Sequence, residues 1–218
     1  MRNVFIVTHP GATHVTDNVV GGWYDSSLTE QGSRDAERIA ERLVVLLPGT
    51  QKLHLVTSDM RRTQQTAAPI AHAFGVAPVI DRDLRERSYG DAEGQAPGTT
   101  VFLPPPLDSG RLDHHPGTPG TETRREWAAR AYRALERVVE AGAEQTIIVT
   151  HGGTLTYLIS AWIGLPLEHA GHAKFSSTPG GLTHLREDDF AHDRAVVTLN
   201  DCAHLNALVP DLSSRTRR

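Results

Sequence analysis

The chain begins with a short polar start and then an unbroken apolar and β-branched run, Val4-Phe5-Ile6-Val7-Thr8. A second run of this kind, Thr146-Ile147-Ile148-Val149-Thr150, comes late in the chain. Runs without polar alternation predict strands buried on both faces, as in a parallel sheet. Leu53–Thr57 and Ala77–Ile80 predict two more strands. Between these runs the apolar spacing lengthens to the helical period. Ala36, Ile39, Ala40, Leu43 and Leu47 mark one face of a helix over 29–47, opened by Thr29-Glu30 and stopped by Pro48-Gly49. Further helices are predicted over 62–74, ended by Gly75, over 122–141, and over 154–163. In the 122–141 helix Trp127, Ala131, Ala134, Leu135 and Val138 share a face that reads as core. Late strands at 182–185 and 195–199 complete the pattern.

Alternating strands and helices predict an α/β fold: a single three-layer domain with a mostly parallel central sheet flanked by helices. It spans about 1–210, with 211–218 as a polar, flexible tail. The segment 91–120 breaks the pattern. It is rich in Pro, Gly, Asp and His around Pro104-Pro105-Pro106. A connection of that length predicts an inserted cap over the sheet edge.

Open α/β sheets bind ligands at the carboxyl ends of their strands. His9 and His151 directly follow the two buried runs, so the fold delivers both to that edge. Ser58, Arg62 and Glu86 fall at or just beyond other predicted strand ends. A neutral imidazole is a nucleophile near neutral pH. A guanidinium fork matches phosphate oxygens. A second histidine can stabilise transition-state charge, and a carboxyl group can protonate a leaving oxygen and then activate water. The set suits phosphoryl transfer without a metal.

Composition narrows the partners. A formal charge of −4 with no basic stripe excludes a nucleic-acid footprint. No apolar run approaches the roughly 20 residues of a membrane span. The lone Cys202 fits a reducing compartment, and the immediate entry into a strand predicts no secretory leader, so a cytoplasmic location is expected. No cofactor is called for. Asp113-His114-His115 and the pair His169 and His172 have histidine spacings that zinc sites use, but without cysteine partners they read as surface residues. His204 reads as a structural residue or one behind the site, and Arg124 and Arg125 as a solvated helix face that, following the cap, could also meet an anionic substrate.

Six ordered segments raise the specificity. They are Ile6-Val7-Thr8-His9-Pro10; Gly22-Trp23-Tyr24-Asp25 through Leu28-Thr29 to Gly32; Ser58 through Arg62 to Gln65-Thr66-Ala67; Leu84-Arg85-Glu86 with Gly90 and Glu93-Gly94; His151-Gly152; and Leu199-Asn200-Asp201-Cys202-Ala203-His204-Leu205. Together they resemble the histidine phosphatase superfamily, the phosphoglycerate mutase-like family, over residues 4–205. The resemblance implies a metal-independent phosphomonoester hydrolase acting on a small-molecule phosphate. His9 would be the phosphorylated nucleophile, Arg62 and His151 would bind the phosphoryl group, and Glu86 would be the general acid and base. Arg61 neighbours Arg62, but the spacing to Gln65-Thr66-Ala67 selects Arg62.

The chain departs from that pattern beside its nucleophile. Thr8 and Pro10 stand where the family has Arg and Gly. The missing arginine removes a fixed charge from an anion site. Thr8 is then expected to donate one neutral hydrogen bond, and a protonated His14 to supply charge from the adjacent loop. Ser58 and Gly152 complete the expected substrate contacts. The basic residue of the mutases aligns with Val19, and their Glu-Thr with Gly11-Ala12, which predicts a pocket too poor in charge for a mutase. A non-phosphoryl acid/base enzyme reusing the two-histidine pocket stays open, as do an inactive phospho-ligand binder and a homodimer.

Overall fold

Side-chain alternation along the two buried runs decides the layering. The computed structural model describes residues 1–49 and 52–205. Strand β1 (Arg2–Thr8) leads to a one-turn helix α1 (Thr13–Thr16), and α2 (Glu30–Leu46), β2 (Leu53–Thr57), α3 (Arg61–Phe74) and β3 (Val79–Ile80) follow. After the inserted segment come α4 (Arg124–Glu140), β4 (Gln145–Thr150), α5 (Gly152–Trp162), β5 (Leu182–Glu187) and β6 (Arg194–Asp201). One six-stranded sheet has the order β3-β2-β4-β1-β5-β6. The first four strands are parallel, whereas β5 and β6 run antiparallel at one edge. The domain is therefore a single α/β unit with a mixed, mostly parallel sheet.

Val4, Ile6, Val56 and Ile148 point to one face and pack against α4 and α5. Phe5, Val7, Leu55, Ile147 and Val149 point to the other and pack with residues of α2 and α3 such as Ile39, Leu43 and Ile70. Neither face of the central strands reaches water, which is why their sequences carry no alternation.

Local signals set the helix ends. Thr29 caps α2 by accepting from the Gly32 amide, and Thr123 with Glu126 forms a reciprocal capping box on α4. Gly75, at φ 65°, ends α3 in the left-handed conformation. α5 starts earlier than the spacing predicts, at Gly152, because His151 itself is the cap residue.

The 91–120 segment has almost no regular structure, yet it is pinned. A bridge between Tyr89 and Thr121 closes its base, Leu112 is buried, and the Leu103 amide donates to Pro116. The expected boundary at 210 and the tail at 211–218 lie outside the described residues. Among the described residues no helix is long and apolar enough to cross a membrane.

Candidate active site

β1 and β4 are neighbours in register, with Thr8 opposite Thr150. The residue after each strand therefore emerges at the same edge. His9 and His151 meet there, ring centroids 5.2 Å apart and nearly perpendicular, and the His9 amide donates to the Thr150 carbonyl. β2 ends beside them and delivers Ser58 and the first turn of α3, so Arg62 joins the pair.

The His9 ring is fixed at both nitrogens. Nδ1 lies 2.8 Å from the Pro10 carbonyl, which only a protonated nitrogen can satisfy. Nε2 then carries the lone pair, and Arg62 Nε donates to it at 3.3 Å. Burial and the Arg62 charge push the His9 pKa down to about 3, so the ring is neutral across the physiological range. Arg62 is buried, and its terminal nitrogens donate to the Tyr24 and Gly22 carbonyls at 2.8 and 2.7 Å. Those contacts aim its Nε–H at His9.

His151 has no exposed surface. Its Nε2 is hydrogen-bonded with Ser58 Oγ at 3.2 Å, and its Nδ1 has no partner among the described residues. Burial first, then Arg62 and His9, hold its pKa well below the ordinary value. Ser58 also accepts from the Met60 amide.

Glu86 is held by main-chain donors: Arg87 N to Oε1 at 2.9 Å and Gly153 N to Oε2 at 2.8 Å. A methyl group at Gly153 would come within 2.5 Å of Oε1 and of the Trp127 ring, so only glycine lets the start of α5 approach this carboxylate. Gly152 opens the same helix, and its carbonyl accepts from Ser177. The structure thus brings His9, Arg62, His151, Ser58, Glu86 and Gly152 to one edge.

Two expected contacts do not form as read from the sequence. Thr8 is buried, and its hydroxyl is committed to the Thr178 carbonyl at 2.8 Å. His14 does approach His9, at 6.2 Å between centroids, and its Nδ1 pairs with Ser26 Oγ. Burial and Arg62 lower its pKa, so it supplies a neutral ring and not the expected charge.

Two further readings change. Trp127 is not only core: its indole donates to Thr154 Oγ1 and its ring walls the Glu86 side of the site. Arg124 is half-buried and donates to the Gly171 carbonyl. Arg87 and Arg111 likewise donate to carbonyls, whereas Arg85, Arg125, Arg130 and Arg137 close on carboxylates. The Tyr157 hydroxyl lies within the electrostatic reach of Arg124, Arg87, Arg111 and Glu86, although burial dominates and raises its pKa. Arg87, Arg111 and Arg124 thus place positive charge, and Glu86 negative charge, around Tyr157.

Sequence reading missed the scaffold of Glu86. Arg130 is buried, pairs with Glu122, and donates to the carbonyls of Asp83, Arg85 and Glu86. Trp23 Nε1 donates to the same Glu86 carbonyl at 2.7 Å, and the Arg85 guanidinium lies over the Trp23 ring.

Three of the histidines elsewhere meet main-chain carbonyls. His114 meets the Leu103 carbonyl, His172 the Asp108 carbonyl and His204 the Gly180 carbonyl. Among the described residues no group of three or more His, Cys, Asp or Glu side chains is placed to hold a metal ion.

The family model of the histidine phosphatase superfamily (branch 1) matches residues 4–201. A curated relative from Yersinia pestis (strain Pestoides F), described as probable phosphoglycerate mutase GpmB, is 30% identical over 213 residues, covering 94% of this chain and 96% of the relative. The structure superposes on the alpha-ribazole phosphatase of Shigella flexneri with a TM-score of 0.73 at 22% identity, covering 91% of this chain and 96% of that one. A mycobacterial glucosyl-3-phosphoglycerate phosphatase in complex with VO3 gives 0.72 at 23% identity, covering 92% and 99%.

Proposed function

The chain belongs to the histidine phosphatase superfamily, and from that membership we propose that it is a cytoplasmic, metal-independent phosphomonoester hydrolase working through a phosphohistidine on His9. One observation carries the reading most. His9 is neutral, its Nδ1 is tied to the Pro10 carbonyl, and its Nε2 lone pair is aimed at Arg62, the fixed cation that would hold a phosphoryl group.

In the first step His9 Nε2 attacks phosphorus and the ester P–O bond breaks. Glu86 is the general acid of this step and passes a proton to the departing oxygen. In the second step Glu86, now ionised, takes a proton from water. The resulting hydroxide attacks phosphorus, the N–P bond breaks, and phosphate leaves with His9 neutral again. Arg62 turns its Nε–H from the ring to a phosphoryl oxygen as the anion arrives. His151 donates a ring N–H to a second oxygen. With the Ser58 hydroxyl on its Nε2, the free donor is Nδ1, the atom without a protein partner.

Rapid quench with a labelled phosphomonoester tests this reading. Acid-labile label on the protein, absent in His9→Ala, together with release of inorganic phosphate is the expected result. Label that returns to a second position of the substrate without release of phosphate would make the enzyme a mutase. Neither label nor phosphate from a broad ester panel would favour acid/base chemistry on a substrate without phosphate.

A further inference from the structure

The inserted segment builds a cavity that the proposed chemistry does not use. It encloses about 250 Å³ between the Glu86 segment, the insertion and the first turn of α4. Tyr89 and Phe102 form two of its walls, their rings perpendicular with centroids 5.8 Å apart. Pro104, Pro105, Pro116 and Leu103 complete the apolar lining. Arg87 and Arg124 border it, and the Arg87 guanidinium lies over the Tyr89 ring at 5.8 Å.

The cavity adjoins the phosphoryl site. A methyl group at Gly22, whose φ is 63°, would come within 2.8 Å of the Tyr89 ring, so this ring rests on the Gly22 backbone. The Gly22 carbonyl accepts from Arg62. On the other side Arg87 is the residue after Glu86, and its amide holds the Glu86 carboxylate. A group leaving phosphorus toward Glu86 would thus pass the faces of Arg87 and Tyr89 and arrive at Phe102.

We propose that this cavity is the leaving-group subsite and that it takes a flat apolar ring, so that the substrates are phosphate monoesters of ring-bearing alcohols. The inference rests on the hydrolase reading above. Three features favour a ring over a short polar chain. Two aromatic rings and three prolines give rigid, flat walls without a carboxylate. Arg87 Nε and Nη2 are committed to the Glu122 carbonyl and its guanidinium lies over the Tyr89 ring, and Arg124 Nη1 is committed to the Gly171 carbonyl, so the cations at the border are already engaged and the lining favours an apolar ring over a chain that needs hydrogen-bond partners. Phe102 and Leu103 remain 37% and 55% exposed, and a seated ring would cover them. A dry cavity of about 150 Å³ is known to accept benzene, so the volume suffices. The walls are held in place, because His114 donates to the Leu103 carbonyl and the Leu103 amide donates to Pro116.

The experiment compares kcat/KM for phosphate release from 2-phenylethyl phosphate and ethyl phosphate. Both leaving groups are primary alcohols, so the comparison reads binding of the ring. The full chain is expected to favour the phenylethyl ester by about 10-fold or more. Phe102→Ala is expected to remove most of that preference while leaving ethyl phosphate turnover within about twofold, which also reports that the variant is folded. Equal turnover of the two esters overturns the inference and leaves the hydrolase reading intact. A preference that survives both Phe102→Ala and Leu103→Ser overturns it as well. Release of phosphate from neither ester overturns the inference, and the broad ester panel then decides the hydrolase reading separately.

Discussion

Two neighbouring strands leave the sheet in the same way and reach different ends. β1 and β4 each finish in Thr-His, and Thr8 lies opposite Thr150 in the ladder. Both hydroxyls are buried and donate 2.8 Å bonds to carbonyls of flanking loops, Thr8 to Thr178 and Thr150 to Leu84. The difference begins one residue beyond each histidine. Pro10 has no amide proton, cannot continue the ladder, and turns its carbonyl back onto the His9 ring. Gly152-Gly153 lets α5 begin at once, which sinks the His151 ring completely. One imidazole keeps an aimed lone pair and partial access, whereas the other becomes a buried polar group. Identical local sequence therefore yields two chemical roles, chosen by the residues just past the strand.

Substitution of each ring is the most direct way to break this asymmetry. His9→Ala should lower kcat/KM by at least about 10⁴-fold, since it removes the proposed nucleophile. His151→Ala should cost roughly 10²–10³-fold, the scale of losing one preorganised donor to a developing charge. The quench experiment separates them further: His151→Ala should still accumulate label, more slowly, and His9→Ala none. Equal losses with label in both would mean that the rings are interchangeable and that the structural difference carries no mechanism.

Acid titration of stability probes the same contrast at lower amplitude. Burial first, and then the Arg62 charge, lower both pKa values from 6.5, that of His9 to about 3. Below pH 6.5 the unfolded chain binds protons at these histidines and the folded chain does not. Stability conferred by the neutral rings is full above 6.5 and is lost as pH falls toward 3. Each ring adds a slope of up to about 1.4 kcal/mol per pH unit. Urea unfolding at pH 7 and pH 5 should show the loss, and His151→Asn should flatten it more than His9→Asn, because His151 has no exposed surface. A wild-type curve no steeper than that of the double variant would contradict the burial of these charges.

Much of this contrast was legible in the sequence, and the unread part has a physical reason. The central strands announced themselves because both their faces are buried. The helices did so through their apolar faces, and His9, Arg62, Glu86 and His151 through their places at strand ends. β6 is longer than the expected 195–199, because its residues are largely exposed and carry no unbroken apolar run. Arg130 escaped notice although it had a signal: it stands on the apolar face of α4, three residues after Trp127 and four before Ala134, where an arginine is out of place. Its partners are carbonyls of the Asp83–Glu86 segment, brought close only by tertiary packing. Thr8 was misread for a related reason. The motif marks the position as a substrate contact, but the loop at 178–181 that captures its hydroxyl belongs to a distant stretch of chain.

Thr8→Val isolates that last point and should have the smallest effect. Valine keeps the β-branched shape and removes only the hydroxyl, leaving the Thr178 carbonyl short of one donor. Stability should fall by about 1 kcal/mol. Turnover of phosphate esters should stay within about twofold, because the hydroxyl is committed to the Thr178 carbonyl. Thr150→Val makes the companion case. Its lost bond is to Leu84, two residues before Glu86, so a similar loss of stability should come with a larger fall in kcat. Urea midpoints and kcat/KM for the pair decide between the two assignments. If Thr8→Val instead raised KM tenfold at unchanged stability, the hydroxyl would be a substrate contact, as the sequence motif indicates. The two Thr-His junctions would then differ already at their threonines, one residue before the histidines.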